Sequence, residues 1–295
     1  MSCKKQTAII LVNYNGLNDT IECIRSLAHS SVPAQIIVVD NCSKMDEAAI
    51  IAQMFLDVKT IRLNKNLGFA GGNNVGIQWA LDNDFEYIVL LNNDTIVQND
   101  FLEKLLSEAD EETIAVPYMY YHAIPNELWY GGGRVNKWTG NVQHVYKPRK
   151  SGEPFTCSFV TGCCFLAHCS IWQKIGLLAD SFFMYHEDTD FSIRLMQHGV
   201  KIKVVPSAKI FHKVGKSSGG YESSFCIYYN TRNRLHIIST YKSFFYMTAK
   251  PFTLLSRLVR MVSLIIRRKK EWRAYYKGIC DACDNVMGEC VEVGK

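Results

Sequence analysis

The 295-residue sequence lacks the features typical of fibrous, disordered, secreted or nucleic-acid-binding proteins. It has no internal repeat, no low-complexity linker, and neither a helix-turn-helix nor an RNA-binding signature. The apolar run at 8–12 is too short for the core of a secretory signal, and it is typical of a first strand. With 48% hydrophobic and 21% charged residues, the chain has the composition of an ordinary globular protein with one large domain.

The cysteines show no pattern of a disulfide framework. There are eleven, an odd number, and Cys163 and Cys164 are adjacent. Cys280 and Cys283 form a single CxxC motif, and only Cys290 follows, so no second pair stands at zinc spacing. We interpret the CxxC motif as small residues on a helix. Free thiols are typical of a reducing compartment, so a cytoplasmic protein is predicted.

Positive charge is concentrated near the C-terminus. The formal net charge is +5, yet residues 242–277 contain ten Lys and Arg residues and one acid, Glu271, which is a net of +9 and leaves −4 elsewhere. A nucleic-acid footprint usually spreads over a domain or comes with its own motif. No nucleic-acid partner is therefore predicted.

Residues 8–109 alternate short apolar runs with helical segments. The runs at 8–13, 35–40, 58–63 and 87–92 are rich in β-branched residues, as in strands covered on both faces. Helical patterns occupy 17–29, 44–56, 72–82 and 98–109. This order predicts an α/β fold with a doubly wound, mostly parallel central sheet and flanking helices.

The second half of the chain extends this architecture. Residues 113–212 contain further strand and hairpin patterns, with helices at 169–175 and 187–198, and predict mixed strands added to the same sheet. From residue 221 the pattern is helical. We therefore predict one α/β domain over 1–240 and a basic, amphipathic, helical C-terminal extension over 241–295.

Polar side chains stand at the predicted carboxyl ends of strands, where open α/β sheets bind ligands. They are Asn13, Tyr14, Asn15, Asp40, Asn92, Asn93 and Asp94. Asp40 fits a helix N-cap as well as a contact to a base or ribose. Asp94 is followed by other good caps, Asn99 and Asp100, which leaves its carboxylate for a divalent cation that a substrate diphosphate also holds.

A glycine-rich segment at 64–81, "NKNLGFAGGNNVGIQWAL", follows the third predicted strand. Its glycine spacing and its position disagree with the dinucleotide fingerprint, which follows a first strand. Gly68 and Gly72 allow the backbone to approach a planar base closely. Asn73 offers both a donor and an acceptor.

A second acidic cluster opens the helix predicted at 187–198. Its acids can all stabilise the positive end of the helix dipole. Asp190 and Arg194 have the i,i+4 spacing of an ion pair. Asp188 lies about 160° from Asp190 around the helix, so it can face a cleft and serve as a general base. His212 ends another strand; it is either an ordinary polar residue or a metal ligand beside Asp94.

Eight ordered motifs between residues 7 and 235 resemble family 2 glycosyltransferases with the GT-A fold, particularly the rhamnosyltransferase-like branch. They are "VNYNG" at 12–16, "VVDNCS" at 38–43, "NLGFAGGNNVGI" at 66–77, "LLNNDT" at 90–95, "TGCCFL" at 161–166, "FFMYHEDTDFSIRL" at 182–195, "FHKVGKSS" at 211–218 and "YYNTRNRL" at 228–235. Eight motifs in order are far more specific than any one of them.

The resemblance implies an inverting transfer of a sugar, rhamnose in the nearest branch, from a nucleotide-diphosphate sugar to a hydroxyl of a glycan or lipid-linked acceptor. It implies that Asp188 is the base and that Asp94 and His212 hold Mn²⁺ or Mg²⁺. The implied nucleotide-sugar contacts are Asn13, Tyr14, Asn15, Asp40, Gly68, Phe69, Gly72, Asn73, Asn92, Asn93 and Arg232, the last offsetting charge on the leaving diphosphate.

Two departures from the family pattern matter. Asn92 stands where the family commonly has the first acid of Asp-x-Asp, so a lower metal affinity is expected. The QxxRW motif of processive synthases is absent, which favours one sugar per encounter. A sugar nucleotidyltransferase and a non-catalytic nucleotide-sugar-binding protein stay open as alternatives.

The helix predicted at 252–268 has two distinct faces. Apolar residues recur at i, i+3, i+4 and i+7, at Leu255, Leu258, Val259, Val262, Ile265 and Ile266. Arginines occupy the opposite side, and together with Pro251 they exclude an apolar span of about 18 residues. The apolar face either packs on the domain or lies on anionic lipid, at the inner face of the plasma membrane.

Overall fold

The structure is a computed structural model that describes residues 5–214 and 223–293. Residues 215–218, which close the "FHKVGKSS" motif, and residues 221–222, where the helical part is predicted to begin, lie outside the described residues. The first half alternates strands and helices in the order β1 (Lys5–Asn13), α1 (Leu17–Leu27), β2 (Gln35–Asp40), α2 (Glu47–Met54), β3 (Lys59–Arg62), α3 (Gly68–Asp82) and β4 (Phe85–Leu91). The predicted βα alternation is confirmed.

The second half adds strands and then helices. They follow as β5 (Thr95–Val97), α4 (Phe101–Leu106), β6 (Thr113–Tyr121), β7 (Leu128–Tyr130), β8 (Gly133–Val135), β9 (Val142–His144), β10 (Phe155–Cys157), β11 (Cys164–His168), α5 (Cys169–Ile175), α6 (Glu187–Gln197), β12 (Lys201–His212), α7 (Ser224–Thr240), α8 (Ala249–Ile266) and α9 (Trp272–Cys283). Cys280 and Cys283 lie in α9, as expected for small residues on a helix.

The main sheet has the strand order β10-β12-β6-β11-β4-β1-β2-β3. β1 pairs in parallel with β2 and with β4, and β2 pairs in parallel with β3. β11 is antiparallel to both β4 and β6, which makes the second half mixed, as predicted. Because the strand order reverses at β1, the carboxyl ends of β1, β2 and β4 meet at one edge of the sheet.

The core forms where helices cover both faces of β1. Ala8, Ile9, Ile10 and Leu11 are at most 1% exposed, and burial of each large aliphatic side chain contributes roughly 1.5–3 kcal/mol. α3 approaches β1 at Gly76, where an added Cβ would come within 2.5 Å of the Ile10 side chain. Close packing of α3 on β1 fixes the start of α3 at the edge of the sheet.

α3 begins four residues earlier than the predicted bound of 72. Asn41 Oδ1 accepts a hydrogen bond from the Leu67 N–H, and Asn66 Oδ1 accepts one from the Gly68 N–H, both at 2.8 Å. These side chains satisfy N–H groups that a helix leaves unpaired at its start. Two asparagines outside the helix therefore extend it toward the edge of the sheet.

The C-terminal helices pack on the domain. Tyr228 in α7 donates to the Asp281 carboxylate in α9 at 2.5 Å, and Arg232 in α7 donates to the Gly288 carbonyl at 2.8 Å. α7 ends at Thr240, where the domain boundary is predicted, and the division into two parts stays a prediction. Of the helices in the described chain, none has the length and hydropathy needed to cross a bilayer.

Candidate active site

A cavity of about 750 Å³ opens at the carboxyl edge of the sheet. Residues from both halves of the chain line it, including most of the residues predicted from the sequence. The predicted residues on its wall are Tyr14, Asn15, Gly68, Phe69, Asn73, Asn92, Asn93, Asp94, Asp188 and His212. The structure thus brings the two acidic motifs, which are far apart in the sequence, to one cavity.

Asp94 and His212 lie side by side on the wall of this cavity. Asp94 follows β4, and His212 ends β12, whose pairing with β5 sets His212 opposite Thr95. His212 Nε2 is 3.1 Å from Asp94 Oδ1. Burial lowers the pKa of His212, but the neighbouring Cys163 sulfur and the Asp94 carboxylate raise the pKa more, to about 10. Burial also raises the pKa of Cys163.

Once His212 loses its proton, as metal binding requires, the pair fits a divalent cation held partly by a substrate. Asp94 Oδ1 and His212 Nδ1 are buried and lack a well-aligned hydrogen-bond partner among the described residues. Within residues 5–214 and 223–293, no group of three or more His, Cys, Asp or Glu side chains is arranged to hold a metal ion. One carboxylate and one imidazole leave room for phosphate oxygens and water, the ligands that complete magnesium sites.

Asp188 lies in the first turn of α6 and faces the cavity. Its carboxylate is within 3.5 Å of the Gly162 N–H and 3.3 Å of the Thr189 hydroxyl, which can both donate to it. Burial raises the pKa of Asp188 to about 6, although these donors lower it. The carboxylate is therefore charged at neutral pH but close enough to titration to accept a proton, as a general base requires.

Glu187, the residue before Asp188, is a second carboxyl group on the cavity wall. Burial raises its pKa well above the ordinary value, and the charge of Asp188 raises it further. Its Oε2 atom has no hydrogen-bond partner among the described residues. Burial and the neighbouring charge thus both favour the protonated form of Glu187, whose titration is coupled to that of Asp188.

Asp190 has the structural role predicted for it. Arg194 Nε donates to Asp190 Oδ2 at 2.8 Å, and the Tyr241 hydroxyl donates to Oδ1 at 2.6 Å. The predicted ion pair is confirmed. Because Asp190 points away from the cavity and Asp188 points into it, the helical rotation between them separates the two roles.

The segment before α6 has an unusual backbone. Phe183, Tyr185 and His186 have positive φ angles of 63°, 64° and 73°, a conformation that costs free energy for residues other than glycine and that clusters at functional sites. Asn233 Nδ2 lies 2.8 Å from the Met184 carbonyl and 2.9 Å from the Tyr185 carbonyl, to which it donates. Asn233 thus holds the segment that carries Asp188.

Gly68 holds the same segment from the opposite side. Its φ is +72°, and an added Cβ would come within 2.1 Å of the Phe183 carbonyl oxygen. The next N–H, that of Phe69, donates to this carbonyl at 2.7 Å. Gly68 therefore acts through close backbone contact between α3 and the segment before α6, in addition to lining the cavity.

Four predicted contact residues, Asn13, Asp40, Gly72 and Arg232, do not line the cavity, and their contacts to the donor stay predictions. Asn13 is fully buried; its amide donates to Glu47 at 2.7 Å and its oxygen accepts from Thr20 at 2.8 Å. Gly72 packs against Val12, which an added Cβ would approach within 2.9 Å. These two residues support the cavity wall from behind.

Arg232 also lies off the cavity wall. It is fully buried and donates to the carbonyls of Phe182 and Gly288 and to the Tyr228 hydroxyl. Arg232 therefore connects α7 to the C-terminal segment. The arginine of the same helix that lines the cavity is Arg234.

Asp40 is also fully buried and off the cavity wall, beside Asn13. It does not cap α2, since Asp46 accepts from the Ala49 N–H instead. One Asp40 oxygen, Oδ2, has no hydrogen-bond partner among the described residues. Its contact to the donor therefore stays a prediction. Asn41, the next residue, lines the cavity.

The fold and the two acidic motifs at one sheet edge are those of a nucleotide-sugar-dependent glycosyltransferase. The chain belongs to glycosyl transferase family 2, whose model matches residues 8–176, and the resemblance noted in the sequence is confirmed.

Two curated relatives support the rhamnosyltransferase-like branch. The low-salt glycan biosynthesis hexosyltransferase Agl10 of Haloferax volcanii is 28% identical over 233 residues, which is 77% of this chain and 73% of the relative. The dTDP-rhamnosyl transferase RfbF of Shigella flexneri is 23% identical over 186 residues, which is 62% of this chain and 61% of the relative.

Solved structures support the GT-A fold. GalNAc-T7, crystallised with UDP, GalNAc and Mn²⁺, superposes with a TM-score of 0.65 at 19% identity, over 81% of this chain and 48% of its own. Residues 1–349 of S. aureus TarS in complex with UDP-GlcNAc give a TM-score of 0.54 at 15% identity, over 95% and 92%. At these identities the likeness concerns the fold alone.

Proposed function

We propose that this glycosyltransferase moves a sugar from a nucleotide-diphosphate sugar to a hydroxyl of a glycan or lipid-linked acceptor, with inversion at the anomeric carbon. One observation carries the proposal: Asp94 with His212 and, separately, Asp188 line a single cavity at the carboxyl edge of the sheet. The activities after which the relatives are named, hexosyl and dTDP-rhamnosyl transfer, agree with this reaction. Rhamnose is the proposed sugar.

In the proposed reaction Asp188 accepts the proton of the acceptor hydroxyl as its oxygen attacks the anomeric carbon. The bond from that carbon to the diphosphate oxygen breaks, and the nucleoside diphosphate leaves with the bonding electrons. A single displacement inverts the configuration. The pKa of about 6 for Asp188 supports this role, because the base is ionised at neutral pH.

Asp94 and His212 are the proposed protein ligands of Mn²⁺ or Mg²⁺. When bound, such an ion offsets negative charge on the leaving diphosphate as a Lewis acid. Asn92 and Asn93 lie beside Asp94 on the cavity wall. The Asn93 amide donates to the Thr20 hydroxyl at 2.8 Å, which orients its oxygen. We propose that these two amides bind donor hydroxyls or phosphate oxygens.

The nucleoside is proposed to bind in the part of the cavity that lies beside the end of β1 and the start of α3. Tyr14 and Asn15 follow β1, and Phe69 and Asn73 lie in the first turns of α3. Tyr14 is 51% exposed, so its ring is free to stack on a base. Asp40, with its unpartnered oxygen, is proposed to accept from the base.

Two experiments test the proposed function. Thermal-shift screening of nucleotide sugars with and without Mn²⁺ should find a donor that stabilises the protein more with the metal, because a ligand of the folded state raises stability. NMR of the product should then show the opposite anomeric configuration from the donor. Retention would contradict the single displacement. Release of pyrophosphate from a nucleoside triphosphate would instead favour nucleotidyl transfer, against which family membership argues.

A further inference from the structure

Three arginines form a cationic surface inside the cavity. This arginine cluster consists of Arg234 in α7 and Arg257 and Arg260 in α8, and all three line the cavity. Arg234 is only 5% exposed. The Nε atoms of Arg234 and Arg257 are buried and have no hydrogen-bond partner among the described residues. Buried donors without partners are costly unless a ligand satisfies them.

The arginine cluster has no carboxylate partner in the described chain. Among the described residues, the arginines that form ion pairs with carboxylates are Arg62 and Arg194, and neither belongs to the cluster. Arg234 Nη2 donates to the Thr139 carbonyl, a neutral acceptor. Burial, together with the charge of Arg257, lowers the pKa of Arg234 to about 9. Cations that repel one another inside a cavity are stabilised by an anionic ligand.

The cluster lies on the side of the cavity that carries the candidate base. His186, Arg234 and Arg257 all line the cavity, and burial together with the charges of these two arginines lowers the pKa of His186. His186 directly precedes α6, two residues before Asp188. The acceptor must contact Asp188, whereas the donor diphosphate is assigned to Asp94 and His212. An anion at the arginine cluster is therefore best supplied by the acceptor.

We propose that the arginine cluster binds a phosphate group of the acceptor, in the diphosphate that joins a glycan to a lipid. This inference rests on the proposed function for the identity of the acceptor. Guanidinium groups bind phosphate oxygens through pairs of parallel hydrogen bonds, which a lysine cannot reproduce. Three guanidinium groups match the several oxygens and the charge of a diphosphate. They would place the first sugar of the acceptor beside Asp188.

Calorimetric titration with inorganic pyrophosphate, in EDTA so that no metal bridges it to Asp94, tests the site directly. The full-length chain should bind pyrophosphate, and Arg257→Gln and Arg260→Gln should each weaken binding about tenfold or more, as expected for charge-assisted hydrogen bonds. Arg267→Gln removes the same charge from the C-terminal end of α8, outside the cavity, and should leave binding unchanged. Arg260 is exposed, so its replacement has little effect on folding. Equal loss in all three variants, or no binding by the parent, would refute the site.

Competition distinguishes the possible sources of the phosphate. Farnesyl diphosphate should displace pyrophosphate and farnesol should not, because the proposal assigns the site to a lipid diphosphate. Failure of farnesyl diphosphate to compete would overturn the acceptor assignment. UDP added in the same EDTA buffer should not displace pyrophosphate; one-for-one displacement would show that the cluster holds the donor. These results do not depend on turnover, so they can fail or succeed separately from the proposed function.

A second, independent observation concerns the α8 outer face, which consists of Leu255, Leu258, Val259, Val262, Ile265 and Ile266. These six side chains are between 43% and 75% exposed. The opposite side of α8 packs on the protein through Thr253, Arg257 and Met261. The side of α8 that carries Thr253, Arg257 and Met261 therefore faces inward and the six apolar side chains of the α8 outer face point outward, which argues against the alternative that these six pack on the domain.

We infer that the α8 outer face lies on an anionic lipid bilayer, the cytoplasmic leaflet in our localisation of the protein. Arg267, Arg268, Lys269 and Lys270 follow the helix directly and are all exposed. Apolar side chains flanked by basic residues are typical of helices that lie in a membrane surface. A second copy of the chain is a poorer occupant, because pairing would bring together two segments with a net charge of +9 each.

Vesicle flotation of the full-length chain tests the lipid surface. Binding to vesicles of phosphatidylglycerol and phosphatidylcholine in equal amounts should exceed binding to phosphatidylcholine alone and should weaken with salt. Replacement of Leu255, Val259 and Ile266 by Gln should reduce binding about tenfold or more. A matched triple Gln variant of exposed apolar residues elsewhere, Met45, Leu56 and Ile124, should float like the parent. A parent that fails to float, or that sediments as a dimer dissolved by the α8 variant, would refute the inference.

Discussion

The pH dependence of turnover follows from the raised pKa of Asp188. A base with a pKa of about 6 is roughly 9% ionised at about pH 5, half ionised at about pH 6 and roughly 91% ionised at about pH 7. If Asp188 must be ionised to accept the proton, kcat/KM should fall about tenfold between neutral pH and about pH 5. Initial rates at low donor and acceptor concentrations, with saturating metal, would measure this acidic limb.

Glu187→Gln sharpens the same prediction. The pKa of Glu187 is raised well above its ordinary value, which favours its neutral form. Gln reproduces the neutral form, so the acidic limb should move by less than about half a pH unit. A limb near about pH 4 in the parent, or one that drops by a unit or more in this variant, would refute the assignment of charge within the pair.

Stability should change with pH in the opposite sense to activity. The folded-state pKa of Asp188 is raised above its unfolded value, so the contribution of this group is fully present at low pH and is lost as the pH rises through about 6. Asp188→Asn should therefore stabilise the ligand-free protein at neutral pH, measured by urea unfolding. A destabilised Asp188→Asn variant at neutral pH would contradict the inferred burial of charge.

Three further predictions concern the groups around the two carboxylates. Asn233→Ala removes the amide that donates to Met184 and Tyr185; it should lower the free energy of unfolding by about 2–4 kcal/mol and lower kcat, and a neutral effect would contradict its positioning role. Gly68→Ala strains a positive φ against the Phe183 carbonyl and should cost more than about 2 kcal/mol in urea unfolding. Asp94→Asn should abolish the extra thermal stabilisation that Mn²⁺ gives to donor binding; unchanged metal dependence would exclude Asp94 as a ligand.

Much of the fold was predictable because strands that are buried on both faces have continuous apolar sequences. The non-alternating runs of β1 to β4 predict a parallel sheet, and the parallel order predicts where its polar ends meet. The separation of Asp188 from Asp190 also followed from helical rotation alone. These inferences need only local periodicity and one rule of topology.

Side-chain direction in buried elements was not predictable in the same way. α7 is buried on nearly all sides, so no amphipathic pattern indicates that Arg234, rather than Arg232, faces the cavity. The two residues lie about 200° apart around the helix. Asn13 and Tyr14 are adjacent, yet Asn13 turns inward to Thr20 and Tyr14 outward to the cavity. Such choices depend on neighbours distant in the sequence.

The orientation of α8 could not be predicted from the sequence for a related reason. An amphipathic helix is expected to bury its apolar face, but here Arg257 and Arg260 line the cavity and the apolar face is exposed. Asn233 was missed because its partners are backbone carbonyls of a strained segment. Every residue has such a carbonyl, so the sequence does not indicate which of them a side chain contacts. In both cases the deciding partner is a feature of tertiary structure.

The most direct test is to measure donor affinity and turnover on one preparation of Asp188→Asn, with Asp57→Asn, an exposed Asp far from the cavity wall, as control. If one carboxylate site holds the metal-bound donor and another removes the proton, Asp188→Asn should bind donor as the parent does while turnover falls at least about hundredfold. Asp57→Asn should be unchanged in both. Lost donor affinity, or turnover close to that of the parent, would contradict the separation of the two roles.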